Sequence, residues 1–171
     1  MKKNIYLLLL VFNISILAKA QQTPASAQSK SILIMNATAH LGNGKVIENS
    51  AIGFANGKIN LVADPTVIRL AKDAYDITIN ASGKHVYPGF IAPNSTLGLV
   101  EIDAVKSSDD EREIGEMKPH VRSIIAYTAD SKVIETVRPN GVLMAQITPR
   151  EGRISGTSSI VQLDAGNWKD A

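Results

Sequence analysis

Two Asn-Gly dipeptides, Asn43-Gly44 and Asn56-Gly57, most constrain the fold of this 171-residue chain. Asn and Gly adopt positive φ angles at low cost, which a tight turn between antiparallel strands requires. The dipeptides separate three segments rich in Ile, Val and Leu, at residues 31–41, 46–55 and 58–62. This spacing predicts an antiparallel β-meander whose first dipeptide forms a tight hairpin.

The segment after the meander predicts a short helix followed by further strands. Asp64 is a candidate N-cap, Pro65 suits the first helical position, and apolar residues then recur up to Ala71. Residues 75–79 alternate like a strand, and a Ser-Gly turn leads into a strand predicted over 85–91.

The first twenty residues have the order of a secretory signal peptide. Lys2 and Lys3 precede an apolar run over 5–17, and Ala18-Lys19-Ala20 ends in small residues. A membrane anchor is the alternative, but such a run is too short to cross roughly 30 Å of hydrocarbon. We therefore expect cleavage after Ala20, no stable membrane anchor afterwards, and a periplasmic or secreted protein. The polar, Pro-containing residues 21–31 predict a flexible leader.

Composition then limits the class of protein. Without residues 1–20 the net charge falls from +2 to −1, which gives no reason to expect a nucleic-acid partner. The chain has no cysteine, so an exported domain must rest on a hydrophobic core. Aromatic residues make up only 5%, so that core is predicted to be aliphatic.

The second half of the chain changes character. The acidic residues 107–116 lack the spacing of a calcium loop, which favours a solvated loop or helix face. Residues 129–131 can cap a helix over 132–137, and Asn140-Gly141 turns it into an apolar strand over 142–148. A helix, a glycine turn and a strand buried on both faces make half of a parallel α/β repeat.

Several motifs, in order along residues 32–171, resemble the N-terminal part of metal-dependent amidohydrolases, and of imidazolonepropionase-like members in particular. They are Asn36-Ala37-Thr38, Gly57-Lys58-Ile59, Gly83-Lys84-His85-Val86-Tyr87-Pro88-Gly89-Phe90-Ile91, Gly115-Glu116-Met117-Lys118-Pro119-His120-Val121-Arg122, Arg138-Pro139-Asn140-Gly141 and Thr148-Pro149-Arg150-Glu151-Gly152-Arg153-Ile154-Ser155-Gly156-Thr157-Ser158. The resemblance implies an α/β protein with an all-β N-terminal part. A β-sandwich segment over 32–87 would lead into the first strands of a TIM-type (β/α)8 barrel over 88–171.

Two departures from the family limit what can be transferred. Family members continue Pro-Gly-Phe-Ile with Asp-x-His-x-His, whereas Asn94 and Thr96 stand at the two histidine positions here. Alternation along a strand would place both on one face, but an amide and a hydroxyl are poor ligands for zinc or a similar divalent metal. A structural junction, a binding pocket and an altered metal site remain open.

The second departure is length. Residues 92–171 hold only two barrel strands, at most three, since a barrel takes at least about 200 residues. The barrel is therefore expected to be truncated, and no catalytic residue is assigned.

Other polar residues are weaker candidates. Ser155, Thr157 and Ser158 lie in a Gly-rich loop and are possible pocket-lining residues, without the motif of a nucleophilic serine. His40, His85 and His120 share no metal-like spacing, so none is predicted to be a ligand.

The resemblance implies hydrolysis of non-peptide C–N bonds, in cyclic and related amides, by metal-activated water. The sequence is therefore interpreted as the N-terminal part of an exported amidohydrolase-like protein that takes a small amide-type ligand. Two alternatives are a binding protein that keeps the fold without activity, and a truncated gene product without an independent role.

Overall fold

The computed structural model describes residues 24–71 and 73–171. The predicted signal peptide and its cleavage site therefore lie outside the described residues. The strands are β1 (Ile32–His40), β2 (Val46–Ala55), β3 (Lys58–Ala63), β4 (Ile77–Asn80), β5 (His85–Val86), β6 (Phe90–Ser95), β7 (Val142–Ile147) and β8 (Ser159–Gln162). One α-helix is described, α1 (Lys132–Val137), together with 3-10 segments at Lys106–Ser108, Ser123–Ala126 and Arg138–Asn140.

The chain forms two compact units. The N-terminal unit comprises Ala25–Ala92 with Gly141–Met144, and the C-terminal unit comprises Pro93–Asn140 with Ala145–Ala171. Within the part of the chain that is described, no helix is both long enough and apolar enough to span a membrane.

The N-terminal unit contains the predicted meander. β1, β2 and β3 pair in antiparallel order, and β4 and β5 both pair with β1 in parallel. At the second dipeptide, Asn56 and Gly57 have φ angles of 52° and 70°, the positive values of a type I′ turn. Such a turn matches the twist of the strands it joins, so here the sequence prediction is confirmed.

The first dipeptide does not form a tight hairpin. His40 pairs with Val46, which leaves residues 41–45 as a longer loop. The positive φ angles fall on Gly42 and Gly44 instead of on Asn43. The Asn43 side chain accepts a hydrogen bond from the Lys45 amide at 3.1 Å. Because two glycines flank Asn43, the left-handed positions fall where they cost least, and the loop widens.

Small aliphatic residues form the interior of this sheet. Leu33, Ala37, Ala39, Ala51 and Ile52 are all at most 6% exposed. Pairing of β1 with β2 packs these side chains together, which agrees with the predicted aliphatic core.

The predicted helix after Asp64 is absent. The Asp64 carboxylate accepts hydrogen bonds from the amide and hydroxyl of Thr66, at 2.8 and 2.7 Å, and these lower its pKa. The chain makes a single turn there, closed by Val67 N to Asp64 O at 3.1 Å. Val67 is 78% exposed, and a segment of this length is too short to be a stable helix by itself.

The strand predicted over 85–91 is interrupted. β5 ends at Val86 and β6 begins at Phe90, with Pro88, which has no amide hydrogen to donate, between them. Among the described residues of 32–87 there is one five-stranded sheet and no second sheet facing it. The all-β character of this segment is confirmed, and the sandwich, which the family builds from both ends of its chain, stays a prediction.

β6, β7 and β8 form a second sheet, in that order. Phe90 N donates to Gly141 O at 2.8 Å and Thr148 N donates to Ser95 O at 2.9 Å. Residue numbers increase in the same direction along both strands of this pair, so β6 and β7 run parallel. α1 lies between them in sequence at the predicted residues, and Gly141, with φ 90°, turns the chain into β7. The predicted half repeat of helix, glycine turn and strand is confirmed.

Among the described residues, β7 is buried in its second half and open in its first half. Ala145 and Ile147 are fully buried, but Leu143 is 53% and Met144 is 37% exposed. Phe90 and Ile91 of β6 are about as open, at 62% and 60%. Among the described residues nothing covers these side chains, which leaves the first half of the strand exposed.

Candidate functional site

The candidate site lies in the C-terminal unit, where β6 ends. Asn94 is the penultimate residue of β6 and has a φ of 48°. Asn adopts this left-handed conformation more readily than most residues, so the backbone there selects for its side chain. The regular pleat is interrupted at Asn94, and simple alternation therefore no longer determines its direction relative to Thr96.

Thr96 begins the turn that follows. Its carbonyl accepts hydrogen bonds from Leu99 N at 2.9 Å and Val100 N at 3.2 Å. Gly98 within this turn has a φ of 73° and packs against the Tyr127 ring. Thr96 is thus held by its backbone, next to a closely packed glycine.

Gln146, near the end of β7, connects two of the sequence-predicted residues. Its Oε1 accepts a hydrogen bond from Asn94 N at 3.4 Å, and its Nε2 donates to Ser158 Oγ at 3.1 Å. Residues that are 52 and 12 positions from Gln146 therefore meet on one amide. Sequence reasoning missed Gln146, although a single polar residue inside an apolar strand was the signal for it.

A cation lies beside this network. Arg150 Nη2 donates to the Asn94 carbonyl at 2.9 Å. The Arg150 backbone is fixed as well, because its amide donates to Glu111 O at 2.7 Å. Asn94, Gln146, Ser158 and Arg150 are named here the β6-end network.

The β6-end network does not fit a zinc ion. Its donors are amides and a hydroxyl, which are poor ligands for a borderline metal, and the guanidinium of Arg150 repels a cation. The described residues contain no group of three or more His, Cys, Asp or Glu able to hold a metal. The network can instead donate hydrogen bonds to a carbonyl or carboxylate, as guanidinium and amide groups do.

The remaining predicted pocket residues lie elsewhere in the unit. Ser155 lines a cleft of about 420 Å³ with Asp110, Glu111, His120 and Arg122. Thr157 is held by its backbone, since its amide donates to Val121 O at 2.8 Å and its carbonyl accepts from Ser123 N at 3.1 Å. The structure thus joins Asn94 and Ser158 in one network, and places Ser155 in a separate cleft.

Two further charged residues of this unit organise its loops. Lys118 is 2% exposed, and its Nζ donates to Glu113 O at 2.8 Å and to Arg150 O at 3.4 Å. Arg112 pairs with Glu111 at 2.9 Å and Glu151 at 3.1 Å, and these carboxylates raise its pKa, Glu111 most. An arginine within the predicted acidic loop therefore pairs with a carboxylate of that loop and with Glu151, as in a solvated structural loop.

Tyr127 is the most perturbed titrating group. Burial raises its pKa to about 12, although the charge of Arg138 acts in the opposite direction. Its hydroxyl is buried and has no hydrogen-bond partner among the described residues. The ring therefore serves packing against Gly98, and the hydroxyl is held in its neutral form.

One solved structure matches this fold closely. An amidohydrolase from Thermotoga maritima MSB8 superposes with a TM-score of 0.71 and 24% sequence identity, over 81% of this chain and 35% of that one. About four fifths of this chain therefore has the fold of part of an amidohydrolase, which confirms the resemblance at the level of fold. The chain spans about a third of the length of that protein.

Other comparisons add little. A prolidase complexed with N-methylphosphonate-L-proline matches at TM-score 0.43 and 17% identity, over 67% of this chain and 25% of that one. An uncharacterised protein matches at TM-score 0.41 and 17% identity, over 66% and 24%. Both similarities are too low to support an argument. No protein-family model and no curated protein matches the sequence.

Proposed function

We propose that this chain is the N-terminal part of an exported amidohydrolase-like protein that binds a small amide-type ligand without a metal at the end of β6. The observation that carries the proposal is the β6-end network. In place of the histidine pair of the family it presents neutral hydrogen-bonding groups and the guanidinium of Arg150, 2.9 Å from the Asn94 carbonyl.

The barrel is part of the proposal. β6, α1 and β7 have the order and the parallel pairing with which a (β/α)8 barrel begins. Phe90, Ile91 and Leu143 are each more than half exposed, and apolar side chains in such number usually lie against another element. In the whole protein, later barrel elements would cover them.

Export rests on the sequence of residues 1–20. Mass spectrometry of protein recovered from the periplasm or the medium should find Gln21 as the first residue. Recovery of the uncleaved precursor as the main stable form would contradict export by this route.

The ligand is expected to carry a carbonyl or a carboxylate. Pyroglutamate, a cyclic amide with a carboxylate, is a suitable probe because it presents both groups to Arg150 and Gln146. Titration followed by NMR should shift the side-chain amide of Gln146, and Arg150→Gln should abolish the shift. Arg153→Gln is the matched control, because Arg153 is exposed and lies outside the network.

Hydrolysis is the second candidate function, and the similarity to a solved amidohydrolase favours it. The full-length natural protein should then hydrolyse cyclic amides and lose that activity on chelation. Stoichiometric zinc together with chelator-sensitive hydrolysis would overturn the metal-free binding role proposed for the β6 end.

A further inference from the structure

Two histidines of the N-terminal unit meet across a pair of parallel strands. His40 ends β1 and His85 begins β5, and the pairing sets Thr38 opposite His85. Alternation places His40 and Thr38 on one face, and His85 and Tyr87 on the same face of the neighbouring strand. His40 Nε2 lies 3.0 Å from His85 Nδ1.

From this geometry we propose that His40 and His85 form a binding site for a divalent first-row transition metal, with Cu²⁺ the preferred ion. This site is independent of the function proposed for the β6 end. Sequence spacing gave no indication of it, because the two histidines are 45 residues apart.

The nitrogen separation carries the argument. Metal–imidazole bonds measure about 2.0–2.1 Å. Two nitrogens 3.0 Å apart then subtend an angle of about 95° at a metal bound equally to both. Neighbouring ligands in tetragonal Cu²⁺ and Ni²⁺ complexes stand close to a right angle, whereas tetrahedral zinc needs a wider one. The pair therefore suits Cu²⁺, which also binds nitrogen ligands most strongly among these ions.

Binding requires a change of tautomer and a rotation of the two rings that turns their lone pairs toward a common point. In the hydrogen bond, one of the two facing nitrogens carries the proton and the other accepts it. The imidazole whose facing nitrogen carries the hydrogen moves it to its other nitrogen, by exchange with water. The metal then lies about 1.4 Å from the line that joins the two facing nitrogens. Both imidazoles are then neutral, and each directs a lone pair at the ion.

Tyr87 holds one of the two ligands in place. Its ring stacks on His40 with centroids 4.3 Å apart and planes 8° from parallel. This contact restricts the rotation of the His40 side chain and so reduces the conformational entropy that is lost when a metal binds. Tyr87 is 57% exposed, so the face is open, and water would supply the remaining ligands. Within residues 24–71 and 73–171 no group of three or more potential ligands could complete the shell.

The test uses the full 171-residue chain, with CuCl₂, NiCl₂ and ZnCl₂ titrated separately. One Cu²⁺ should bind, with an electron paramagnetic resonance spectrum showing coupling to two imidazole nitrogens, and more tightly than Ni²⁺ or Zn²⁺. His40→Gln and His85→Gln should each weaken Cu²⁺ binding by at least about tenfold, since changes outside the ligand shell already cost 10–100-fold at metal sites.

The third histidine provides the control. His120 lies in the C-terminal unit, so His120→Gln should leave Cu²⁺ affinity unchanged. Bound Cu²⁺ should also broaden the NMR signals of the Tyr87 ring in the unaltered protein and not in His85→Gln. Affinity that survives both His40→Gln and His85→Gln, that falls with His120→Gln, or that leaves the Tyr87 signals sharp would overturn the proposal.

Discussion

The end of β6 and the pair formed by His40 and His85 both bring polar groups from distant parts of the sequence within hydrogen-bonding distance. At the end of β6 those groups are amides and a hydroxyl with a guanidinium beside them. At the histidine pair two aromatic nitrogens face each other at 3.0 Å, and the Tyr87 ring stacks on His40. A cation site needs converging lone pairs and a favourable charge, so only the second region has the chemistry of one. The end of β6 occupies the position of the family's metal ligands, but its side chains are not suited to hold a metal.

The largest expected difference between the two regions concerns their backbones. Gly98, near the end of β6, and Gly44, in the loop after β1, have similar φ angles of 73° and 84°. A Cβ at Gly98 would lie 2.5 Å from the Tyr127 ring, whereas one at Gly44 would meet nothing within 4 Å.

Gly98→Ala should therefore lower the free energy of unfolding by about 2–5 kcal/mol, from strain and overpacking together. Gly44→Ala should cost only the strain, about 1–2 kcal/mol. Urea denaturation of both variants measures the difference. Equal losses would show that the turn at Gly98 gives way easily and is not fixed by Tyr127.

The second difference concerns two tyrosines and high pH. Burial holds the pKa of Tyr127 at about 12, above the ordinary value of 10. The neutral form is thus favoured in the folded state, so this contribution to stability is complete below pH 10 and is lost as the pH rises through 12. The loss amounts to about 2–3 kcal/mol.

Tyr127→Phe should abolish that loss, and at neutral pH should leave stability unchanged or slightly higher, because the hydroxyl has no partner. In the N-terminal unit, Tyr75 donates to Asn60 Oδ1 at 2.9 Å. Tyr75→Phe should therefore lower the free energy of unfolding by about 0.5–1.5 kcal/mol at neutral pH. Thermal unfolding at pH 7 and pH 11 checks both variants; an identical alkaline loss in Tyr127→Phe and the unaltered protein would contradict the assignment.

The third prediction concerns histidines introduced at the end of β6. Asn94→His with Thr96→His adds two imidazoles at the end of β6, and His tolerates the positive φ at Asn94. Zinc affinity of the 171-residue chain should rise by at least about tenfold, by analogy with the cost of disturbing a metal site. Adding Arg150→Gln should raise it further, because the cation is removed. If the double variant gains no affinity, the interrupted pleat at Asn94 points the two rings apart.

Local patterns were sufficient for some elements and not for others. The Asn56-Gly57 turn, β2 and α1 follow from residues adjacent in sequence, and the sequence predicted each closely. The helix after Asp64 did not form because the Asp64 side chain closes a single turn with Thr66, and so short a segment needs tertiary packing to propagate as a helix. A capping residue and a proline show where a helix can begin, but not whether it has anything to pack against.

The two candidate sites also combine residues that local sequence indicated with residues that only tertiary pairing brings together. Asn94 and Ser158 were proposed from position, but the residues that join them to the rest of the network, Gln146 and Arg150, come from a different strand and its following loop. The pairing of His40 with His85 depends on β5 adding to β1 in parallel, which no spacing along the chain reveals. Contacts between strands far apart in sequence are set by tertiary pairing, and a single sequence records them only indirectly.

The smallest expected effect tests whether Gln146 organises the end of β6. Gln146→Ala removes an acceptor for Asn94 N and a donor to Ser158 Oγ, and both groups are partly open to solvent. Water can replace part of what is lost, so the free energy of unfolding should fall by only about 1 kcal/mol. Gln162→Ala is the matched control, because Gln162 is exposed at the end of β8 and its side chain donates to Asp170 O at 2.9 Å, away from the β6-end network. That change should stay within about 0.5 kcal/mol.

Amide hydrogen exchange adds a local measurement: protection of Asn94 N should drop in Gln146→Ala and not in Gln162→Ala. If Asn94 N keeps its protection, Gln146 does not stabilise the backbone at the end of β6, and the hydrogen bond from Arg150 is sufficient for it.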